Sequence, residues 1–402
     1  MVLEIRHIKE EELDAFNRNV QIAFAAPDET HSIKVPVEWT LCAFEDGKLA
    51  TSYMAWPLTL FFDGVEIPVA GVSMVGTLPI HRRKGQLRKI TKKHFETLYE
   101  SKQQPISALF ASMAAIYQRF GYGIVSSKNT YNVEPRYLKF ASGCTTDGNF
   151  RDAGDEDMAT ILEIYHKFAK PRVGLLQRNE KMEVAPGAPL TVLAMPPSPS
   201  PPLKFIYYDD DGPQGYMIYS VDRAMGPVMG QNLLIRDIGW LTPQAYRAIW
   251  DCFANMDLVQ TINWGRIPVD DPLPHLLLEP RKLNTICGDG LLARLIDITR
   301  ALPTRPYKDE AKLVFEVIDD FCPWNAGKWK LEVSPKGANA KQTGENPQLT
   351  MPVSTLAMLL FGQISASEAA RMARLDVHDK NTLEIWDSVM RTPYRPYCAD
   401  MF

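Results

Sequence analysis

Apolar and polar positions along this chain change period several times, and each change marks an element. Leu3–His7 alternates as a short strand. The acids Glu10–Glu12 then open a helical stretch running to about residue 25, where the positive end of a helix dipole favours them. Leu41–Glu45 and Leu49–Trp56 flank Asp46-Gly47, while Leu58–Phe62 and Val65–Val72 flank Asp63-Gly64. Asp-Gly between alternating runs is a hairpin signature. A strand over Val72–Leu78 runs into His81-Arg82-Arg83-Lys84-Gly85. Leu87, Ile90, His94 and Leu98 then recur near helical spacing and predict a helix over Gln86–Ser101. Ile106–Ala111 reads as a strand, Met113–Phe120 as a short helix closed by Gly121, and Ile124–Ser127 as a further strand.

A second unit begins near Arg151, with a helix over Asp155–Phe168. The proline-rich stretch Val184–Pro202 reads as extended, exposed polyproline linker. Strands follow at Phe205–Tyr208, Gly215–Val221 and Asn232–Trp240, then a helix over Pro243–Asn255 begun by Thr242, then a strand over Leu258–Trp264. From Gly288 the pattern changes again: strands over Leu313–Ile318, Lys328–Val333 and Gln348–Pro352, and helices over Ser354–Phe361 and Thr382–Met390. The predicted class is α/β with mixed sheets in three domains, 1–150, 151–287 and 288–402.

Composition removes several functions without supplying one. The 402 residues carry a net charge of −4 with 46% hydrophobic and 23% charged content. A pI near 6 gives no global reason to bind nucleic acid, so an anion site has to be built locally. No apolar run approaches the roughly 20 residues of a membrane span, and MVLEIRHIKE has no signal-peptide core. The six cysteines form no CxxC or CxxH pair, which argues against a zinc site and a disulfide framework. A cytoplasmic protein with reduced thiols and no metal is expected.

Chemistry concentrates at VSMVGTLPIHRRKGQLRKI, residues 72–90, where a strand meets a basic, glycine-containing loop and then a helix. The unpaired N–H groups of a helix N-terminus bind pyrophosphate well. Gly85 permits close backbone approach, and Arg82, Arg83, Lys84, Arg88 and Lys89 add positive charge. The same run also reads as a solvated basic helix start. There is no GxxxxGK[ST] and no GxGxxG.

Arg82-Arg83-Lys84-Gly85-Gln86-Leu87 resembles the R/Q-x-x-G-x-G/A acetyl-CoA loop of the GNAT acetyltransferases, with Leu87 in place of the final small residue. The wider stretch resembles the enhanced intracellular survival (Eis) family of GNAT aminoglycoside acetyltransferases. Three further blocks carry that likeness: ALFASMAAIYQRFGYG at 108–123, DDPLPHLLLEPRKL with DGLLARLIDITRAL at 270–302, and the close on Phe402. The resemblance implies tandem GNAT folds followed by a sterol-carrier-protein-like α+β domain, acetyl-CoA as cosubstrate, and a homo-oligomer, a hexamer. The second GNAT-like region lacks the loop motif and is expected to bind no acetyl-CoA.

Residue roles follow from the same resemblance. Main-chain groups of Val75, Gly76 and Thr77 would meet the pantetheine arm, with Arg82 to Arg88 at the pyrophosphate and Ser112 beside the thioester. Ser112 also reads as a helix N-cap. Tyr117 would be the general acid: a phenol of ordinary pKa near 10 is protonated at neutral pH. Tyr122 is its neighbour in the motif and reads as packing. The general base would be the C-terminal carboxylate at Phe402, whose tail Tyr394, Pro396, Tyr397 and Met401 is apolar enough to dock. Phe24, Asp28, Trp39, Met74 and Asp400 fall where an amine acceptor would bind, although Phe24 and Trp39 read equally as core aromatics. A small-molecule amine of aminoglycoside type is the expected acceptor. Lysine or peptide acetylation, or a non-catalytic lipid carrier built on the C-terminal domain, are the other readings.

Overall fold

The computed structural model describes residues 2–26, 35–143, 147–190, 200–223 and 230–402. Strands β1 (Leu3–Arg6), β2 (Cys42–Glu45), β3 (Lys48–Phe62), β4 (Val65–Thr77) and β5 (Ile106–Phe110) lie side by side in that order. Both Asp-Gly pairs turn as expected: Asp46, Gly47, Asp63 and Gly64 all have positive φ, the conformation a two-residue hairpin loop requires. The two runs predicted on either side of Pro57 are one strand, β3. Proline is tolerated there because β2 pairs only as far as Thr51 and Val173–Leu176 only from Leu60, leaving one side of Pro57 without a partner strand. Likewise β4 joins two predicted strands through a bulge, where Met54↔Ser73 gives way to Ser52↔Gly76 and Met74 takes φ 51°.

Helix α1 (Leu13–Phe24) covers one face of this sheet and α2 (Gln86–Ser101) the other. Ile90, Phe95 and Leu98 of α2 bury against Tyr53, Val72 and Leu109, so its apolar stripe sets the β4–α2–β5 crossover and with it a parallel β4–β5 pair. Helix α3 (Ala114–Gln118) follows β5 and is shorter than predicted.

A second, seven-stranded sheet is built mainly from residues 127–289. Gln231–Trp240 and Val259–Ile267 are its parallel pair, joined by the helix Pro243–Ala254. The sheets interleave along the chain. Ser127–Val133 belongs to the second sheet, whereas Leu291–Leu295 lies in the first, between β5 and Gly123–Ile124. Of the proline-rich stretch, Glu183–Ala185 and Ala188–Pro189 pair as a small ladder rather than running as polyproline, and 191–199 lie outside the described residues.

The C-terminal domain is a five-stranded sheet with helix Val353–Phe361 against it. That helix shares one apolar core with the α1 face of the first sheet. A Cβ on Gly123 would lie 2.4 Å from Ser354 O, so the docking needs glycine there. The third domain is therefore fixed rigidly beside the first, with the tail 390–402 leading back from it.

Candidate active site

The parallel pairing of β4 with β5 stops early. Val69↔Ile106, Ala70↔Ser107 and Gly71↔Ala108 are its only rungs, after which β4 continues to Thr77 along β3, and β5 to Phe110 along Leu291–Leu295. The two strands thus open into a fork whose vertex is Gly71–Ala108. Past the vertex, Gly76 and Thr77 pair with β3 and not with β5, and Val75 lies in the bulge between rungs. Their free edge is a row of main-chain donors and acceptors suited to an amide-bearing arm.

Glycine at 76 has a steric cause: a Cβ there would lie 2.6 Å from Ala23 Cβ on α1. Beside it, Asn19 of α1 is buried with neither side-chain amide atom hydrogen-bonded among the described residues. The carbonyl of Met74, in the left-handed region at the bulge, accepts from Ser52 Oγ at 2.9 Å. Its side chain packs on the main core.

At the open end of the fork stands the N-terminus of α2. Gly85 is its cap, with φ 75° and open space where a Cβ would be, and no side chain among the described residues caps the helix start. That is a cradle for an anion at a helix start. The basic side chains divide into two sets. Arg82 folds back, Nε to Thr77 O at 3.1 Å and Nη2 to Ala23 O at 3.3 Å. Lys84 pairs with Glu45 at 2.9 Å, Gln86 donates to Glu45 and accepts from Thr51 Oγ1 at 2.6 Å, and His81 also contacts Glu45, at 2.6 Å. Lys84 first, then His81, hold the Glu45 carboxyl below its ordinary range. Arg83, in contrast, is exposed with no hydrogen-bond partner among the described residues, and Arg88 lies 5.1 Å over the Phe321 ring. Leu87 is half-buried against the α2 core. Glu45 was not foreseen: a lone acid before a turn carries no sequence signal for a loop almost forty residues away.

Beyond the vertex, Ser112 lies exposed between β5 and α3. It does not cap α3, whose N-cap is Met113. Tyr117 on α3 is half-buried, its ring centroid 6.0 Å from that of Tyr122. Tyr122 is fully buried, its hydroxyl 2.7 Å from Ser107 Oγ on β5, which fits the packing role. Burial pushes the Tyr117 phenol up to about 12. It is therefore a neutral donor throughout the physiological range.

The tail arrives at the vertex. The Phe402 ring centroid lies 5.4 Å from that of Phe110, and Phe402 Cδ2 lies 2.9 Å from where a Gly71 Cβ would stand. Gly71 carries no such signal in the sequence either: a Cβ there would meet Leu58 Cδ1 at 2.3 Å as well as the Phe402 ring.

The expected acceptor residues are scattered. Phe24 is 47% exposed at the end of α1. Trp39 packs edge-on against Trp56, 5.4 Å between centroids. Asp28 lies outside the described residues. Asp400 stands apart from the acceptor face expected of it: it is fully buried and gripped by Arg178 through both carboxylate oxygens, at 3.0 and 3.1 Å. A cleft of about 890 Å³, lined by Tyr137, Gln260 and Lys282, belongs to the second domain and not to the fork.

Comparison with known proteins gives the family and the domains. Residues 4–125 and 191–295 each match a model of an acetyltransferase (GNAT) domain, and 298–399 a sterol carrier protein domain. An uncharacterized N-acetyltransferase of Streptomyces avermitilis is 31% identical over 75% of this chain and 74% of its own. N-acetyltransferase Eis of Mycobacterium tuberculosis is 27% identical over 81% of this chain and 78% of its own. The crystal structure of Eis1 from Mycobacterium abscessus superposes with a TM-score of 0.82 at 24% identity, over 99% of this chain and 100% of that one, a likeness of fold.

Proposed function

The chain belongs to the Eis-type GNAT N-acetyltransferases, and from that membership we propose that it acetylates amines by direct transfer, with Tyr117 as acid and the terminal carboxylate as base. The fold implies acetyl-CoA, and the residues present fit it: a fork with a free β4 edge for the pantetheine and an uncapped α2 start at Gly85 for the pyrophosphate. When bound, that cosubstrate supplies an acetyl group activated as a thioester. Val75–Thr77 would hold its arm, and Arg83 with the α2 N–H groups its phosphates. Lys84 and Gln86 act at one remove, since Glu45 uses them to fix the loop's shape.

The chain's own part is proton handling. In a chain that ends at Phe402, whose ring stands at the fork vertex, the α-carboxylate would take a proton from the incoming ammonium, which frees the lone pair for attack. As the new C–N bond forms and the C–S bond breaks, the electron pair goes to sulfur. The Tyr117 hydroxyl would hydrogen-bond that sulfur while keeping its own proton, and the proton still to leave the acylated nitrogen would pass to the departing thiolate or to water. A phenol near 12 is a weaker acid than a thiol of ordinary pKa about 8.5, so its contribution is a strong hydrogen bond to developing thiolate charge.

The observation that carries this reading is the seating of Phe402 against Gly71 and Phe110, at the point where β4 and β5 part. The acceptor class is proposed to be polyamines of aminoglycoside type. Turnover of acetyl-CoA with a panel of aminoglycosides and lysine peptides tests it: faster kcat/KM on the aminoglycosides is expected, and preference for lysine peptides overturns that acceptor. The C-terminal domain's part is to lead the tail back.

A further inference from the structure

The tail reaches the first fork by way of the second. Between Gln231–Trp240 and Val259–Ile267 the parallel rungs stop at Ile235↔Trp264, so the second sheet also opens into a fork. One lip carries Asp237 and the other Arg266. Both hold the tail. Arg266 Nη1 donates to Ala399 O at 3.0 Å, and the Tyr397 hydroxyl donates to Arg266 O at 2.7 Å. Asp237 acts through Arg178, whose Nη1 it accepts while Nε and Nη2 donate to Asp400. Tyr216 Oη donates to Asp237 at 2.8 Å, and Tyr165 lies under the Arg178 guanidinium at 3.6 Å. On the side of the first sheet, Tyr397 N donates to Val173 O at 2.9 Å. Gly174, at φ +102°, comes so close that a Cβ would lie 2.9 Å from Tyr397 O.

The energetics of this clamp favour a positional role. Arg178 and Asp400 are fully buried and Asp237 nearly so. Ions so placed lose hydration, and a well-packed apolar cluster of similar volume is commonly as stable or more so. What the ion cluster adds is a single permitted geometry. Asp400 stands two residues before Phe402, a tether of at most about 7 Å. Fixing Asp400 therefore confines the carboxylate at 402 to a small volume.

We infer that the second GNAT fold is the holder of the tail, and that Arg178, Asp237 and Arg266 are positioning residues that set where the Phe402 carboxylate stands in the first. The inference rests on that carboxylate being the base. Arg178 variants risk misfolding, so the test uses half-buried Arg266. In full-length Arg266→Ala, kcat falls 10- to 100-fold with acetyl-CoA KM and melting temperature close to the parent. Hydrogen exchange at 397–402 rises. Arg266→Lys, able to reach one carbonyl, recovers part of kcat. A chain truncated after Asp400 serves as the reference. If the truncated chain is inactive while Arg266→Ala has an exchanging tail and parental kcat, or a protected tail, the holder role is overturned and the base survives. A fully active truncated chain overturns the base itself, and the holder role with it.

Discussion

The two GNAT folds in this chain share a crossover and a fork but differ at both ends of it. In the first, the helix after the long strand starts at Gly85 with its N–H groups uncapped. In the second, the corresponding helix Pro243–Ala254 starts with Thr242 accepting from Ala245 N at 3.1 Å and with proline, which has no N–H, at the first position. Among the described residues, the first fork is open beyond Gly71–Ala108 apart from the Phe402 ring, while the second is bridged by Tyr397–Asp400. One fold thus presents unsatisfied polar groups where a ligand would come, and the other has satisfied the equivalent groups from within the chain. Duplicated folds diverge in function by where their orphaned backbone groups go.

The largest effect expected on either side of this comparison is at Tyr117. Tyr117→Phe keeps the packing against Tyr122 and removes the donor, so kcat should drop about 10²-fold or more, with acetyl-CoA affinity unchanged by calorimetry. Parental kcat in this variant removes Tyr117 from the chemistry and leaves the two forks distinguished by binding alone.

Acid should separate the folds next. His94 behind the first fork is buried against the Tyr53 hydroxyl at 2.7 Å, and burial lowers its pKa from 6.5 to about 4. The unfolded chain takes up that proton first, so the stability His94 contributes is full above about pH 6.5 and is lost as pH falls toward 4. Asp271 in the second fold is the opposite case. Burial raises it from 3.8 to about 6, against the lowering effect of hydrogen bonds from Tyr246 and Tyr131. Its contribution is full below about pH 4 and is lost as pH rises through 6. Two pKa units correspond to about 3 kcal/mol at each site. Between pH 7 and 4.5, hydrogen-exchange protection should therefore fall in β3 and α2 before it falls in Gln231–Trp240. Equal loss in both sheets contradicts the contrast.

Arg83→Ala comes third. Arg82 and Lys84 are held by Thr77, Ala23 and Glu45, which leaves Arg83 as an exposed cation beside Gly85. Acetyl-CoA should bind about tenfold more weakly, with a shallower salt dependence. Unchanged affinity would mean that the phosphates rest on backbone N–H groups alone.

Local pattern made much of this legible. The periodicity gives helix α2 its observed bounds, Gln86–Ser101, both Asp-Gly pairs mark turns that form, and Thr242 marks the start of its helix, because propensity and capping act within a few positions. Sheet membership was not. LLARL at 291–295 alternates like any strand, and nothing in its period says that it lies beside β5. Asp400 reads in the sequence as an acceptor-site acid, and its pairing with Arg178, 222 residues away, carries no local signal. Distance along the chain, rather than weakness of the interaction, hid the clamp and the role of Glu45.

The smallest effect bears most directly on why the folds differ. Thr242→Ala removes the hydroxyl that accepts from Ala245 N and should cost about 1 kcal/mol of stability, read as a lower melting temperature. It also re-creates an uncapped helix start, the feature that marks the first fold. If an open N-terminus were enough, calorimetry would now find a second acetyl-CoA per chain. One per chain is expected, because Pro243 still withholds an N–H and the tail still bridges the fork behind it. A second equivalent of bound cosubstrate would show that the cap, and not the tail, closes the second fold.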